Sequence, residues 1–132
     1  MKSMLLVEHD VVMGQMLVAE AKKRKFAVEW NKTAESAMHA ADQKKPDFVL
    51  MELQIAKHNG LEFLYEFKSY TEWITIPVFI YTSLPSVEMA AIFKVSKQLN
   101  IKAVYHKSHC TIEQLYDSIV KDLKKTSAHA TP

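Results

Sequence analysis

A doubly wound α/β fold of five strand–helix units is what this sequence predicts, on three observations. Short apolar runs alternate with longer amphipathic stretches five times. The central runs are continuously apolar, as in parallel strands covered on both faces. No internal repeat or linker-like segment divides the 132 residues, a length that suits one compact domain. Right-handed crossovers then favour a parallel sheet, with strand order 2-1-3-4-5 as one common solution.

Met4-Leu5-Leu6-Val7 reads as the first buried strand, and the stretch from Val11 to Lys23 as the helix behind it. Phe26 to Trp30 reads as a second strand with Phe26, Val28 and Trp30 on one face. Thr33 is a good N-cap for a helix from Ala34 to Lys44, which stops before Pro46. Phe48-Val49-Leu50-Met51, bounded by charge, reads as a central strand, followed by a loop from Gln54 to Asn59 that closes at Gly60. The next helix, Leu61 to Tyr70, turns Leu61, Phe63, Leu64 and Phe67 inward.

Ile76 to Thr82 is the fourth strand, with Pro77 near its start where proline is tolerated. Val87 to Leu99 reads as a helix whose apolar positions do not settle on one stripe. Ile101 to Tyr105 is the fifth strand. Thr111 and Gln114 have the spacing of a capping box. Behind it Ile112, Leu115, Tyr116, Ile119, Val120 and Leu123 mark a single buried face. The domain is expected over residues 1–125, with 126–132 a flexible polar tail.

Composition narrows the function. The net charge of +2 and the spread of lysines along the chain demand neither nucleic acid nor a membrane surface. No apolar run is long enough to span a bilayer, and no signal-peptide core precedes the first strand. The lone Cys110 cannot form an internal disulfide, which fits a reducing, cytoplasmic setting. Two glycines do not make a dinucleotide-binding turn, the acids after the first strand would repel a flavin phosphate, and no CxxC pair supports redox exchange. His106, His109 and Cys110 form a weak zinc motif that lacks a second ligand pair.

In a doubly wound sheet the chemistry gathers at the carboxyl ends of the strands, near the switch point beside the first one. The sequence puts Glu8-His9-Asp10, Glu52-Leu53-Gln54, Thr82-Ser83 and His106-Lys107-Ser108 there. The set carries a resemblance. Leu5-Leu6-Val7-Glu8-His9-Asp10, Pro46-Asp47-Phe48-Val49-Leu50-Met51-Glu52, Gly60 eight residues on, Ile76 to Thr82, and Lys107 follow one another from residue 3 to 124 as in the receiver domains of response regulators. The resemblance implies a flavodoxin-like three-layer sandwich and a non-enzymatic signalling module of two-component systems and phosphorelays. It makes Glu52 the equivalent of the aspartate that accepts a phosphoryl group from a sensor histidine kinase. Glu8, His9, Asp10 and the Gln54 carbonyl become the equivalents of the Mg²⁺ pocket. Lys107 becomes the equivalent of the lysine that pairs with the phosphoryl oxygens, and Thr82 of the hydroxyl that swings to bond them.

Several positions depart from the family pattern. A glutamate carboxylate at position 52 sits roughly 1.3 Å further out, and misplacing a reacting group by about 1 Å costs on the order of a hundredfold in rate. His9 replaces an acid, removing an oxygen ligand and a negative charge from a Mg²⁺ pocket. Asp10 follows one residue late and serves more simply as the cap of the first helix, with His9 partly exposed. Ser108 stands where a proline is usual, so a trans peptide is expected there, a cis bond without proline costing about 3 kcal/mol. Val104 occupies the switch-aromatic position, and the adjacent Tyr105 faces the other way. Ala56 replaces a loop proline.

Glu52 is therefore expected to pair with Lys107, as a structural carboxylate or as a standing mimic of the phosphorylated state. Two functions stay open. One is a pseudo-receiver acting by protein–protein contact without efficient phosphorylation. The other is a Mg²⁺-dependent phosphoacceptor using Glu52 or a neighbouring side chain. Expected partners are a sensor histidine kinase or another signalling protein. Tyr81, Met89, Ile92, Phe93 and Val95 suggest a contact or homodimer face on the fourth and fifth units.

Overall fold

The computed structural model describes residues 1–55 and 58–130, leaving out the side chains of 58, 59 and 126–130. Its elements run β1 (Ser3–Val7), α1 (Val11–Lys23), β2 (Ala27–Asn31), α2 (Ala34–Gln43), β3 (Phe48–Met51), β4 (Gln54–Ile55), β5 (His58–Asn59), α3 (Gly60–Lys68), β6 (Val78–Thr82), α4 (Ser86–Val95), β7 (Ile101–His106) and α5 (Ile112–Ala130). Five strands form one parallel sheet in the order β2-β1-β3-β6-β7. Counted among the sheet strands alone, this is the 2-1-3-4-5 order.

Strand alternation divides the core into two layers. Leu5, Val7, Val49, Met51, Val78 and Ile80 face α2, α3 and α4. Met4, Leu6, Phe48, Leu50, Phe79 and Tyr81 face α1 and α5. The predicted one-sided face of α5 packs there, with Leu115, Tyr116, Ile119 and Leu123 buried. Its capping box closes reciprocally: Gln114 N donates to Thr111 Oγ1 at 3.1 Å, and Thr111 N to Gln114 Oε1 at 2.9 Å. Thr33 caps α2 through Ser36 N, as expected.

Several boundaries differ from the sequence reading. The expected loop from Gln54 to Asn59 contains a small antiparallel hairpin, Gln54 opposite Asn59 and Ile55 opposite His58; Ala56 lies outside the described residues. Gly60 N donates to Leu53 O at 2.8 Å, and a Cβ at Gly60 would come within 2.6 Å of the Leu53 Cα, so the close approach requires glycine. α4 ends at Val95 rather than Leu99: only Ile92 on it is buried, and Leu99 enters the core from the turn that follows. α5 continues past Lys125 to Ala130, through alanines that favour helix.

The α3–β6 connection is closed by a group the sequence reading passed over. Lys68 is buried, and its ammonium donates to the carbonyls of Trp73 and Ile74, each at 3.2 Å, and of Ile76. Burial, with Lys102 nearby, pushes its pKa down to about 8. Phe63, Phe67 and Trp73 stack beside it, whereas Tyr65 and Tyr70 are about half exposed, Tyr70 with its ring 4.8 Å from that of Trp73.

Candidate functional site

Backbone hydrogen bonds carry the sheet one residue past its strands, which aligns the site. Glu8 N donates to Asn31 O, Glu52 N to Val7 O, and Lys107 N to Thr82 O, at 2.8–3.0 Å. Glu8, Glu52, Thr82 and Lys107 thereby project at one level from the carboxyl edge, around the β1/β3 switch point.

Glu8 and Glu52 are almost fully buried, at 1% and 2% exposure. One ammonium bridges them: Lys107 Nζ lies 2.7 Å from Glu8 Oε1 and 3.0 Å from Glu52 Oε1. Around Glu52 the donors are numerous. Leu53 N and Gln54 N reach Oε2 at 2.6 and 3.2 Å. Ser83 N and Oγ reach Oε1 at 3.2 and 3.4 Å. The Thr82 hydroxyl favours the ionised form of the Glu52 carboxyl, while its oxygen accepts from Leu84 N at 3.1 Å.

Burial opposes the charge on Glu52, but the Thr82 hydroxyl, then Lys107 and the Gln54 amide outweigh it and hold its pKa below the ordinary 4.5. Burial likewise opposes the charge on Lys107. Its bonds to Glu8 and its attraction to Glu52 prevail, and its pKa lies above 10.5. The cluster is an ionised carboxylate–ammonium–carboxylate bridge, with its oxygens satisfied largely by backbone amides.

The first loop is turned elsewhere. Asp10 Oδ1 accepts from Met13 N at 2.8 Å, capping α1. Glu8 Oε2 accepts from Asp10 N at 3.2 Å. The His9 side chain is 46% exposed, with Nδ1 3.7 Å from Glu8 Oε2. The capping and exposure read from the sequence are both present.

A family model, the response regulator receiver domain, matches residues 4–119. The chain belongs to that family. Three solved structures support the fold. A CheY-like receiver domain protein from Methanospirillum hungatei is 16% identical, with TM-score 0.84, over 98% of this chain and 99% of its own. Chemotaxis response regulator CheY4 of Vibrio cholerae is 17% identical, with TM-score 0.79, over 92% and 98%. The non-phosphorylated HemR receiver domain from Leptospira biflexa is 20% identical, with TM-score 0.73, over 95% and 93%. Among curated proteins, none matches the chain. Receiver domains are signalling modules of two-component systems, and no helix among the described residues is long and apolar enough to cross a membrane.

The donor set of this receiver domain does not fit the family's Mg²⁺. Asp10 is committed to the helix, His9 offers nitrogen in place of an acid oxygen, and the carboxylates that remain, Glu8 and Glu52, are both paired with Lys107. The Gln54 side-chain oxygen accepts from Ser83 Oγ at 3.0 Å, which leaves the expected ligand, the Gln54 main-chain carbonyl, untouched. Among the described residues no group of three or more His, Cys, Asp and Glu side chains is arranged to hold a metal. His106 and His109 lie with ring centroids 5.3 Å apart, and the His106 Nδ1 is 2.6 Å from Ser108 Oγ. Every described peptide bond is trans, that between Lys107 and Ser108 included.

The switch-equivalent positions divide between the two faces. Val104 packs toward the α2–α4 layer and Tyr105 toward α1 and α5, within hydrogen-bond reach of Ser118. Two contributors, Trp30 and Gly14, escaped sequence reasoning, and a third, Ser83, was placed at its strand end without a role. Ser83 binds Glu52 twice. Trp30 Nε1 donates to Glu8 O at 2.9 Å and so fixes the backbone that carries Glu8. Gly14 makes room for that indole, since a Cβ there would sit 1.9 Å from Trp30 Cζ2. Only the β1–β2 register, with Leu6 opposite Trp30, brings Trp30 to the site.

Proposed function

We propose that this receiver domain signals through protein–protein contact without phosphorylation, because its phosphoryl pocket is filled from within. The observation that carries the reading is the solvation of Glu52. Its carboxylate gathers the Lys107 ammonium and the Thr82 hydroxyl, the two groups that the family resemblance assigns to phosphoryl oxygens, together with the Ser83 and Gln54 amides. The extra methylene of glutamate carries the anion outward to meet them. A carboxylate whose oxygens are all engaged is a poor nucleophile, and its cation is already supplied by Lys107.

The partner in this reading is a signalling protein of a cytoplasmic two-component pathway, a sensor histidine kinase among the candidates. The exposed Val87 and Phe93 on α4 support contact, a homodimer included, through the α4–β7–α5 side.

Labelling with acetyl phosphate and Mg²⁺, read by intact mass, tests this. The wild type is expected to remain unlabelled. The double variant His9→Asp, Glu52→Asp restores an acid to the pocket and withdraws the internal anion. It is expected to label at position 52 at least about a hundredfold faster, the scale of a 1 Å misplacement. Labelling of Glu52 in the wild type contradicts the proposal, and an unlabelled double variant contradicts the assignment of the pocket.

A further inference from the structure

The lysines that are dispersed in the sequence are gathered by the fold. In a parallel sheet with right-handed crossovers, strand starts and helix ends share one edge, here the edge opposite Glu52. Lys22, Lys23, Arg24 and Lys25 occupy the α1–β2 junction there, and Lys2 precedes β1. Lys121, Lys124 and Lys125 follow on the C-terminal half of α5. Cations at helix ends complement the helix dipole, so charge alone is no site.

What distinguishes this edge is an apolar recess in the middle of the charge. Its volume is about 290 Å³, and it is lined by Lys2, Arg24, Phe26, Val120, Leu123 and Lys124. Arg24 forms a fixed wall, its guanidinium 2.9 Å from Glu20 and 2.8 Å from Asp117. The nearby Asp47 is turned to Ser3, whose amide donates to it at 2.7 Å. Lys2 and Lys124, for which no ion pair is seen among the described residues, stand at the rim to meet an incoming anion. Lys25 holds a left-handed backbone, φ 64°, at the end of α1, where glycine is favoured; a cation stands there against local preference.

We propose that this edge is a docking surface for an acidic peptide segment of a partner protein, which lodges one large apolar side chain in the recess. The volume suits a single aromatic or leucine side chain, and the basic rim complements acids flanking it. The chemistry favours a peptide over other polyanions. The apolar groups are recessed, whereas a bilayer takes up protruding ones. Phe26 is only 9% exposed and offers no face for base stacking. The inference stands independently of the state of Glu52.

Fluorescence anisotropy on the full chain, at 150 mM salt, tests it with a labelled heptapeptide, Asp-Glu-Asp-Phe-Asp-Glu-Asp, and its Ala-centred counterpart. The Phe peptide is expected to bind about tenfold more tightly or better, as for an anchor residue filling a pocket. The charge-reversed variant Lys2→Glu, Lys124→Glu is expected to lose about tenfold or more of that affinity with an unchanged circular dichroism spectrum. Equal affinity for the two peptides overturns the proposal, as does undiminished binding to the charge-reversed variant. Tighter binding to phosphatidylserine vesicles or to single-stranded DNA than to the Phe peptide also overturns it.

Discussion

Lys107→Met is expected to destabilise the protein by about 3–5 kcal/mol at pH 7, the cost of stripping the counter-ion from a buried charge. Lys107 is the ammonium shared by Glu8 and Glu52, and its removal leaves two buried carboxylates facing each other. The pH dependence should invert as well. In the wild type the Glu52 pKa is depressed, so its contribution is complete above 4.5 and is lost as the pH falls through the lower folded value. In the variant, mutual repulsion raises the pKa of one carboxyl above its unfolded value. Its destabilisation is then greatest at neutral pH and is relieved as the pH falls and that carboxyl is protonated. Urea denaturation from pH 7.5 to pH 4.5 checks this: the midpoint of Lys107→Met should rise on acidification while that of the wild type holds. A variant with wild-type midpoint at pH 7 contradicts the bridge.

Phe48→Ala is expected to cost about 3–5 kcal/mol, as for large core aromatics cut to alanine. Phe48 is fully buried in β3, edge-on to Phe26 at 5.1 Å and to Phe79 at 6.0 Å between ring centroids. Its loss opens a cavity under the strand that carries Glu52. Phe93→Ala provides the contrast: the ring is 57% exposed on α4, and its loss should change stability by no more than about 0.5 kcal/mol. Thermal denaturation of the two variants separates core from contact surface. Comparable losses in both contradict the exposed position of Phe93.

Much of the fold was legible because local rules and packing agree in it. α1 runs from Val11 to Lys23 and β3 from Phe48 to Met51, as read from apolar runs and helix signals. The α5 capping box and buried face were equally plain. Where packing is thin, the sequence misleads: the apolar residues of α4 suggest a longer helix, yet Ile92 is the only one of them fully buried, with Val95 packed at the core's margin. The hairpin at Gln54–Asn59 escaped notice because two-residue strands carry no periodicity.

The candidate site was legible at the level of residues and opaque at the level of contacts. Glu8, Glu52, Thr82 and Lys107 fall at strand ends, so topology alone brings them together. The choice of Lys107 to bridge both acids depends on register and side-chain reach. The reach of Trp30 over Gly14 to the Glu8 carbonyl joins residues on different elements, which no spacing rule connects.

The central claim, that the phosphoryl pocket is filled by Glu52, is met most directly by a ¹⁵N–¹H NMR titration of the wild-type chain. Mg²⁺ is added first, and beryllofluoride, a phosphoryl mimic, second. With Lys107, Thr82 and the Ser83 and Gln54 amides already engaged, no shifts beyond weak local effects of Mg²⁺ are expected. Shifts centred on Glu52, Thr82 and Lys107 and spreading into α4 would mean that the pocket still accepts the group and the switch still works, and the claim would fall.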